Sequence, residues 1–525
     1  MNPPATVAAP GPSAPTATER LLVVLGMCFF GVVLLRTAWV CDDAYITFRT
    51  IDNLVHGYGL TWNVAERVQA YTHPLWMLLL AFAYAFTREI YTTSIFLSLL
   101  LSFGTVGVLW RHVARSNAQV LLAVVILTSS KAFTDYSTSG LENPLTHLLC
   151  ALFLAVYLRE ETGKRKLLLL TLIAALAMLN RMDTALLFLP TLGVVWWSSR
   201  DKGWRSWLPA VALGFSPFVV WELFSLFYYG SFVPNTAYAK LNTGINTLES
   251  VRQGINYLLA SVLWDPLTPV VIVLGWSVPF LHKDWRMLPV VLGAVAYVLY
   301  TVKIGGDFMS GRFLTPPFLC SVALLCQGDF RFEEPVLGIT LGAVLLLALA
   351  APFPSLTSDA RYGEWSEAAR MDGTGVADER AWYYPTTGLL RSRRNGMPIS
   401  HSWVLEGATA RRRGLKVVVE GEIGFYGYHA GPQVHIVDPH ALAEPLLARL
   451  PADRTNGWRI GHFVRTVPEG YLETLETGRN VIRDPNVAAF YDKLALVTRA
   501  PLFSAERLRE VWKLNTGAYA HLLPK

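Results

Sequence analysis

Residues 21–40 read LLVVLGMCFFGVVLLRTAWV and run straight into CDDAYITFRTIDNLVHGYGLTWNVAERVQAYTH at 41–73. The first run has the ~20 apolar residues that carry a helix across a bilayer core. The second is polar, led by two acids, and rich in Trp, Tyr and His. An apolar helix that empties into such a loop predicts a membrane protein with a site at the membrane surface. A cleaved signal peptide is the competing reading of 21–40. It is disfavoured by the long, nearly uncharged segment ahead of it, MNPPATVAAPGPSAPTATER, and by the lack of a small-x-small cleavage site. Residues 1–20 predict a disordered cytoplasmic tail, because nothing in them buries an apolar face.

The composition agrees. Of 525 residues, 53% are hydrophobic, 12% aromatic and only 16% charged, against roughly 25% charged in ordinary soluble domains. Mean hydropathy is +0.36, which excludes a disordered chain, and no internal period supports a solenoid. The net charge of +6 comes from Lys and Arg scattered through short connectors. That distribution fits a lipid bilayer as partner and not nucleic acid. The cysteines, Cys28, Cys41, Cys150, Cys320 and Cys326, have neither metal-ligand nor disulfide-framework spacing.

Further apolar runs fall at about 90–110, 118–133, 144–158, 167–179, 184–198, 206–228, 266–281, 287–302, 313–327 and 335–352. With 21–40 these give about eleven spans. Pro74 to Phe86 is shorter and reads as an interfacial helix. Under that assignment the connectors 111–117, 159–166, 200–205, 282–286 and 328–334 share one side. Four of these five are net basic, which makes that side cytoplasmic. The same parity puts the polar connectors 41–73, 134–144, 180–183, 228–244 and 302–312 together on the extracytoplasmic side.

The expected organisation is therefore a transmembrane domain over 21–352, with an extracytoplasmic loop at 41–89, and a soluble extracytoplasmic domain over 353–525. In the latter, LKVVVEGEIGFYGY (415–428) and QVHIVD (433–438) read as strands. Residues 441–450, 486–496 and 504–514 read as helices. The expected fold class is a polytopic α-helical membrane protein with a C-terminal α/β domain.

Ionisable residues beside spans are functional candidates because desolvating them is costly. Asp42 and Asp43 adjoin the first span, where mutual repulsion and a partly apolar surrounding raise a carboxyl pKa or recruit a divalent cation. A solvated helix cap is the plainer reading of the pair. Glu142 lies in GLENP, and Arg181 and Asp183 in NRMD; the latter two also read as a local ion pair. GGDFMSGR offers Asp307 and Arg312 among glycines that admit close ligand approach, with Arg suited to phosphate. Lys240, in NTAYAK, is a second cation for phosphate or a headgroup anchor. His73, with Trp62, Tyr71 and Trp76 nearby, offers aromatic faces for a sugar ring, although interfacial belts have the same composition. P-loop, dinucleotide, HExxH and GxSxG signatures are absent from the sequence.

The ordered set CDDAYITFR, GYGLTWNVAERVQAYTHPLW, SGLENPL, NRMD, FVPNTAYAK and GGDFMSGRFLTPP, followed by GEIGFYGY, VDPHALAEPLLARLP and WRIGHF, resembles the GT-C membrane glycosyltransferases. It is most similar to the arabinofuranosyltransferase branch that contains the mycobacterial terminal and pilin arabinosyltransferases. The resemblance runs from about Leu21 to His462. It implies a polyprenyl-phosphate sugar donor, with arabinofuranose as the sugar, and a glycan or protein acceptor. It places the enzyme in a bacterial cytoplasmic membrane and its reaction on the outer face.

The resemblance also implies a catalytic carboxylate from the first outer loop, either Asp42 or Asp43. Arg312, Lys240 and Arg181 would meet the lipid phosphate, with Asp307, Glu142 and His73 around the donor. No cofactor is required by the sequence. Within the class, a GT-C mannosyltransferase is the alternative. Outside it, a lipid-linked sugar transporter would place its polar groups on broken helices near the bilayer midplane, often with repeat symmetry.

Overall fold

The structure is a computed structural model and describes residues 17–161, 163–199, 203–241, 243–330, 334–366, 370–391, 399–455 and 457–524. Most of the expected disordered tail, residues 1–16, lies outside these, while residues 17–20 already belong to the first helix. The membrane half runs α1 (Ala17–Thr37), α2 (Asp42–Val55), α3 (Pro74–Thr87), α4 (Ile90–Val108), α5 (Asn117–Ser129), α6 (Lys131–Asp135), α7 (Asn143–Tyr157) and α8 (Lys164–Asn180). It continues through α9 (Ala185–Ser199), α10 (Trp204–Tyr228), α11 (Asn235–Leu241), α12 (Thr247–Trp264), α13 (Leu267–Leu281), α14 (Leu288–Lys303), α15 (Thr315–Leu325) and α16 (Glu334–Leu349).

Every run expected to span is helical, but length divides them. Arg20–Thr37, Ile90–Val113, Trp207–Tyr228 and Trp285–Lys303 are long and apolar enough to cross a bilayer. Helices α12 and α13 form a fifth crossing only as a pair bent by 105°. Asp265 holds that bend: its carboxylate accepts the Thr268 hydroxyl at 2.7 Å and the Ala132 amide at 2.8 Å. Helices such as α5, with 13 residues, rise only ~20 Å against a core of ~30 Å.

The helices carry apolar stripes that the described residues leave exposed. On α3, Leu78, Phe82 and Phe86 are exposed at four-residue spacing, while Trp76, Met77, Leu80 and Tyr84 are buried. On α1, Leu21, Leu25, Phe29 and Val32 are exposed against buried Val23, Phe30, Val33 and Leu34. Apolar faces of this extent fit lipid contact and are rare on soluble monomers.

The two ends of the helices differ. At the end of α7 remote from Glu142, a cavity of about 530 Å³ gathers Arg159, Lys166, Asp284 and Arg286. The Arg115 amide donates to Cys326 O and Gln119 to Gly328 O at this end. Four of the five connectors expected on the cytoplasmic side, three of them net basic, therefore meet here. The polar connectors meet at the other end: Cys41 N donates to Ser139 O, Asn180 to Glu142 O, and Asn235 N to Gln69 O.

The carboxy-terminal segment folds onto that second end through α17 (Glu379–Thr387), α18 (Ser402–Arg413), β1 (Val417–Val419), α19 (Phe425–Ala430), β2 (His435–Val437), α20 (Tyr471–Thr477), α21 (Pro485–Arg499) and α22 (Ala505–Asn515). Its only sheet among the described residues is the parallel pair β1–β2, with Val418 opposite Ile436. The expected strand over 415–428 stops after three residues because Phe425–Ala430 turns helical. The expected helix over 441–450 is instead a loop closed by a short 3₁₀ turn at Leu447–Arg449. Asp438 explains the change: its carboxylate accepts the amides of His440, Leu442 and Ala443, a local alternative that competes with helix. The helices expected at 486–496 and 504–514 correspond to α21 and α22.

This segment shares a core with the membrane half. Trp39 stacks on Tyr383 with ring centres 6.2 Å apart, and Leu389 N donates to Ala38 O. A buried ion network adds to the join. Lys131 contacts Asp135 and lies 3.0 Å from Asp378, while Arg380 lies 2.6 Å from Asp135. The Tyr362 hydroxyl donates to Asp378.

Candidate active site

The two acids that open α2 have different surroundings. Asp42 is buried, and its two oxygens accept the backbone amides of Gly424 (3.0 Å) and Phe425 (2.6 Å). The carboxylate thus occupies the start of α19, where helix amides lack intrahelical partners. Gly424 is required by the fit, since a Cβ there would lie 1.9 Å from the Asp42 carbonyl oxygen. Burial pushes the Asp42 carboxyl up to about 8 against the pull of these amides. With both oxygens engaged, Asp42 does not fit the role of cation ligand.

Asp43 has no hydrogen-bond or ion-pair partner among the described residues and opens onto a cavity of about 260 Å³. Burial raises its pKa, and the charges of Arg312 and Lys240 pull it back down. Across the cavity lie Lys240, Arg459 and Glu379, with Phe308, Trp382, Tyr383 and Trp403 supplying rings. Neither Lys240 nor Arg459 has a carboxylate partner among the described residues. Arg459 is steered by its Nε bond to Gly375 O at 2.9 Å. Burial, reinforced by the Asp43 charge, lifts the Glu379 carboxyl well above its usual range.

Behind Asp43 sits the cluster that the sequence marked in three separate motifs. Glu142 is buried, and Arg312 reaches both its oxygens at 3.0 and 3.2 Å. Arg181 reaches Oε1 at 3.0 Å, and His73 Nδ1 lies 3.4 Å from Oε2. Burial would raise the Glu142 pKa, but Arg312, His73 and Arg181 outweigh it and hold the carboxyl well below its usual range. Arg181 is also bound by Asp183 through Nε at 3.0 Å, the local ion pair that the sequence offered as one reading of NRMD. Asp307 lies 3.6 Å from Arg312. Burial takes His73 down to about 4, so at neutral pH it is an uncharged link between Glu142 and the Thr47 hydroxyl, 2.8 Å from Nε2. Gly306 and Gly311, both at positive φ, let the 305–312 turn pack against Tyr257 and Ala132.

Of the eight residues singled out in the sequence, His73, Glu142, Arg181, Asp307 and Arg312 form one linked cluster, and Asp42, Asp43 and Lys240 line the cavity. Lys240 faces Asp43 across the cavity. The aromatic reading of the first loop is corrected. Trp62 is fully buried beneath the Arg49 guanidinium, 4.3 Å from its ring centre. Trp76 holds the Gly140 carbonyl at 3.0 Å, and Tyr71 bonds Tyr229. The rings that line the cavity come mainly from the carboxy-terminal segment. Glu379, Arg459, Trp382 and Trp403 were not anticipated; the signal available for Glu379 was a charge embedded in the aromatic stretch ERAWYY.

A half-buried carboxylate facing two cations that have no carboxylate partner among the described residues, with aromatic rings beside them, can meet an anionic group and the apolar face of a ligand at the polar end of an apolar helix array. Residues 72–221 match the family described as dolichyl-phosphate-mannose-protein mannosyltransferase. The chain is also 26% identical, over 517 aligned residues, to the terminal beta-(1->2)-arabinofuranosyltransferase of Mycobacterium tuberculosis, covering 82% of this chain and 81% of that protein. The enzyme of the same name from Corynebacterium glutamicum is 26% identical over 519 residues, covering 81% and 72%. Among solved structures, the chain is similar to ArnT from Cupriavidus metallidurans bound to undecaprenyl phosphate, with a TM-score of 0.48, 12% identity, and 81% and 86% coverage. The resemblance read from the sequence motifs is borne out by the first three.

Proposed function

We propose that the protein is a membrane glycosyltransferase that moves a sugar, arabinofuranose, from a polyprenyl-phosphate donor to a glycan or protein acceptor. The observation that carries the reading is Asp43, a carboxylate without a partner among the described residues, opposite Lys240 and Arg459 in a cavity walled by aromatic rings. In the reaction, the acceptor hydroxyl gives its proton to an Asp43 oxygen as its own oxygen bonds to the anomeric carbon. The bond from that carbon to the phosphate oxygen breaks, and the lipid phosphate leaves with the electron pair. The same carboxylate stabilises the oxocarbenium-like charge. Lys240 and Arg459 meet the departing phosphate with charge-assisted hydrogen bonds. Arg312 and Arg181, already committed to Glu142, act mainly by fixing the floor of the site. Asp42 positions Asp43 by anchoring the start of α2.

The same proposal places the site on the extracytoplasmic face of a bacterial cytoplasmic membrane. The basic connectors gather at the far end of the helices, as the positive-inside rule requires of a cytoplasmic surface. It keeps the eleven-crossing count, the shorter helices being accommodated by local thinning of the bilayer or by burial among their neighbours. It keeps a membrane domain over 21–352 and an outer segment over 353–525. The prenyl chain remains among the exposed apolar faces of α1 and α3 while its phosphate enters the cavity.

The test offers purified protein in lipid a panel of polyprenyl-phosphate sugars, arabinofuranose and mannose among them, with a glycan acceptor, and follows polyprenyl phosphate by mass spectrometry. Release with the arabinofuranosyl donor, lost in Asp43→Asn, is expected. Release with the mannosyl donor alone would replace the sugar assignment. Undiminished release in Asp43→Asn would overturn the catalytic one.

A further inference from the structure

We infer that Glu66, His435 and Glu444 form a binding site for a divalent transition-metal ion, zinc being the best chemical match, which clips the first outer loop to the carboxy-terminal segment. The three residues come from the loop 57–73, from β2 and from the loop after it. Each offers one ligand atom, and these atoms all lie within 4.8 Å of one another. Glu66 Oε1 stands 3.8 Å from His435 Nε2.

What points to an ion is how the oxygens are used. Both carboxylates are at least 98% buried, Glu66 being 2% and Glu444 0% exposed. One oxygen of each is held: Glu66 Oε2 by Arg499 at 3.1 Å, and Glu444 Oε1 by the Tyr471 hydroxyl at 2.6 Å and the Leu446 amide at 3.2 Å. The other oxygens, Glu66 Oε1 and Glu444 Oε2, are buried with no hydrogen-bond partner. The one guanidinium bonded to the pair, Arg499, reaches Glu66 alone, and leaving carboxylate oxygens buried without partners is costly. A bound cation satisfies both free oxygens at once, and Arg499 and Tyr471 are the partners that orient ligating carboxylates.

One imidazole with two carboxylates and no thiolate suits zinc or manganese better than calcium or magnesium. Ligand atoms on tetrahedral zinc are about 3.4 Å apart, so the cluster closes by small side-chain adjustments. The site is separate from the catalytic cavity but continuous with its wall. Between His435 and Glu444 the chain passes through His440 and Leu442, both of which line the cavity. Asn63, three residues before Glu66, pairs with both the amide and the carbonyl of Ile436, so the clip reinforces an existing join.

The experiment uses full-length protein in nanodiscs, stripped with a chelator, reloaded with zinc or manganese, freed of excess metal and analysed by elemental mass spectrometry. One equivalent per chain is expected for the wild type and for Asp43→Asn, and loss of it in His435→Gln and Glu444→Gln. Stripping should lower the melting temperature of the wild type and reloading should restore it, while the two variants melt near the stripped wild type and ignore the chelator. A wild type that takes up neither metal, or variants that keep the full equivalent, would overturn the proposal; in the first case a shared proton holds the two carboxylates. No sugar transfer enters these readouts, so they stand apart from the glycosyltransferase reading.

Discussion

The Asp42 carboxylate is bonded to the Phe425 amide at 2.6 Å, while its sequence neighbour Asp43 accepts no bond among the described residues and faces the cavity. Adjacent, chemically identical side chains therefore have different surroundings, and under the proposed function substitution separates their tasks. Asp42→Asn puts an amide NH₂ against a backbone donor and strands one buried N–H, at a cost of about 1–3 kcal/mol. A lower melting temperature in detergent and faster proteolysis of the carboxy-terminal segment are the expected results.

Asp43→Asn has no such structural partner to lose. It should melt within a degree or so of the wild type yet lose about 10²–10⁴-fold in transfer rate, the range for removing a general base. A parallel loss of stability and rate in both variants would show that the two acids share one role.

Gly424→Ala tests the same joint from the other side. With a Cβ only 1.9 Å from the Asp42 carbonyl, α19 must move away from α2, at a cost of roughly 1–3 kcal/mol or more. Thermal unfolding should show this while Gly338→Ala, on an open face of α16, changes little.

Glu142 gives a prediction in pH. Its folded-state pKa lies below the unfolded one because Arg312, His73 and Arg181 outweigh burial. The stability it contributes is therefore present above the unfolded value of about 4.5 and is lost as pH falls below it. Glu142→Gln should cost about 3–5 kcal/mol at pH 7, since two arginines lose a buried partner. The gap from wild type should narrow toward pH 3 in chemical denaturation.

Glu379 carries the opposite sign. Burial and the Asp43 charge raise its pKa, so the folded protein holds a proton there that the unfolded chain releases. That stabilisation is complete below pH 4.5 and declines as pH rises above it. Glu379→Gln, which mimics the neutral acid, should keep most of the activity and flatten the alkaline decline of kcat/KM.

Much of the site was legible in the sequence because ionisable residues at the ends of apolar runs have few other reasons to be there. Glu142, Arg181 and Arg312 stand in three motifs, and the helix array that separates them in sequence brings them into one cluster. The carboxy-terminal contribution was less legible. Glu379 and Trp403 lie in a segment of ordinary soluble composition, where charges and rings carry no desolvation signal. The strand expected at 415–428 failed for a related reason: the side chain that caps its helical second half, Asp42, belongs to the other end of the chain. The first-loop tryptophans were legible as aromatic but not as structural, since only the fold reveals Arg49 over Trp62.

Arg49 has a further implication. It donates from the first loop to Gly427 O and, at 2.8 Å, to Val434 O, across 378 and 385 positions of sequence. Helices α1 and α2 leave the ribosome long before these carbonyls have been made. During synthesis Arg49 must therefore keep its charge hydrated until the chain has been made through Val434. A chain truncated shortly before Gly427 would retain its apolar helices yet lack the carbonyls that hold Arg49, which makes synthesis through Val434 a condition for closing the first loop.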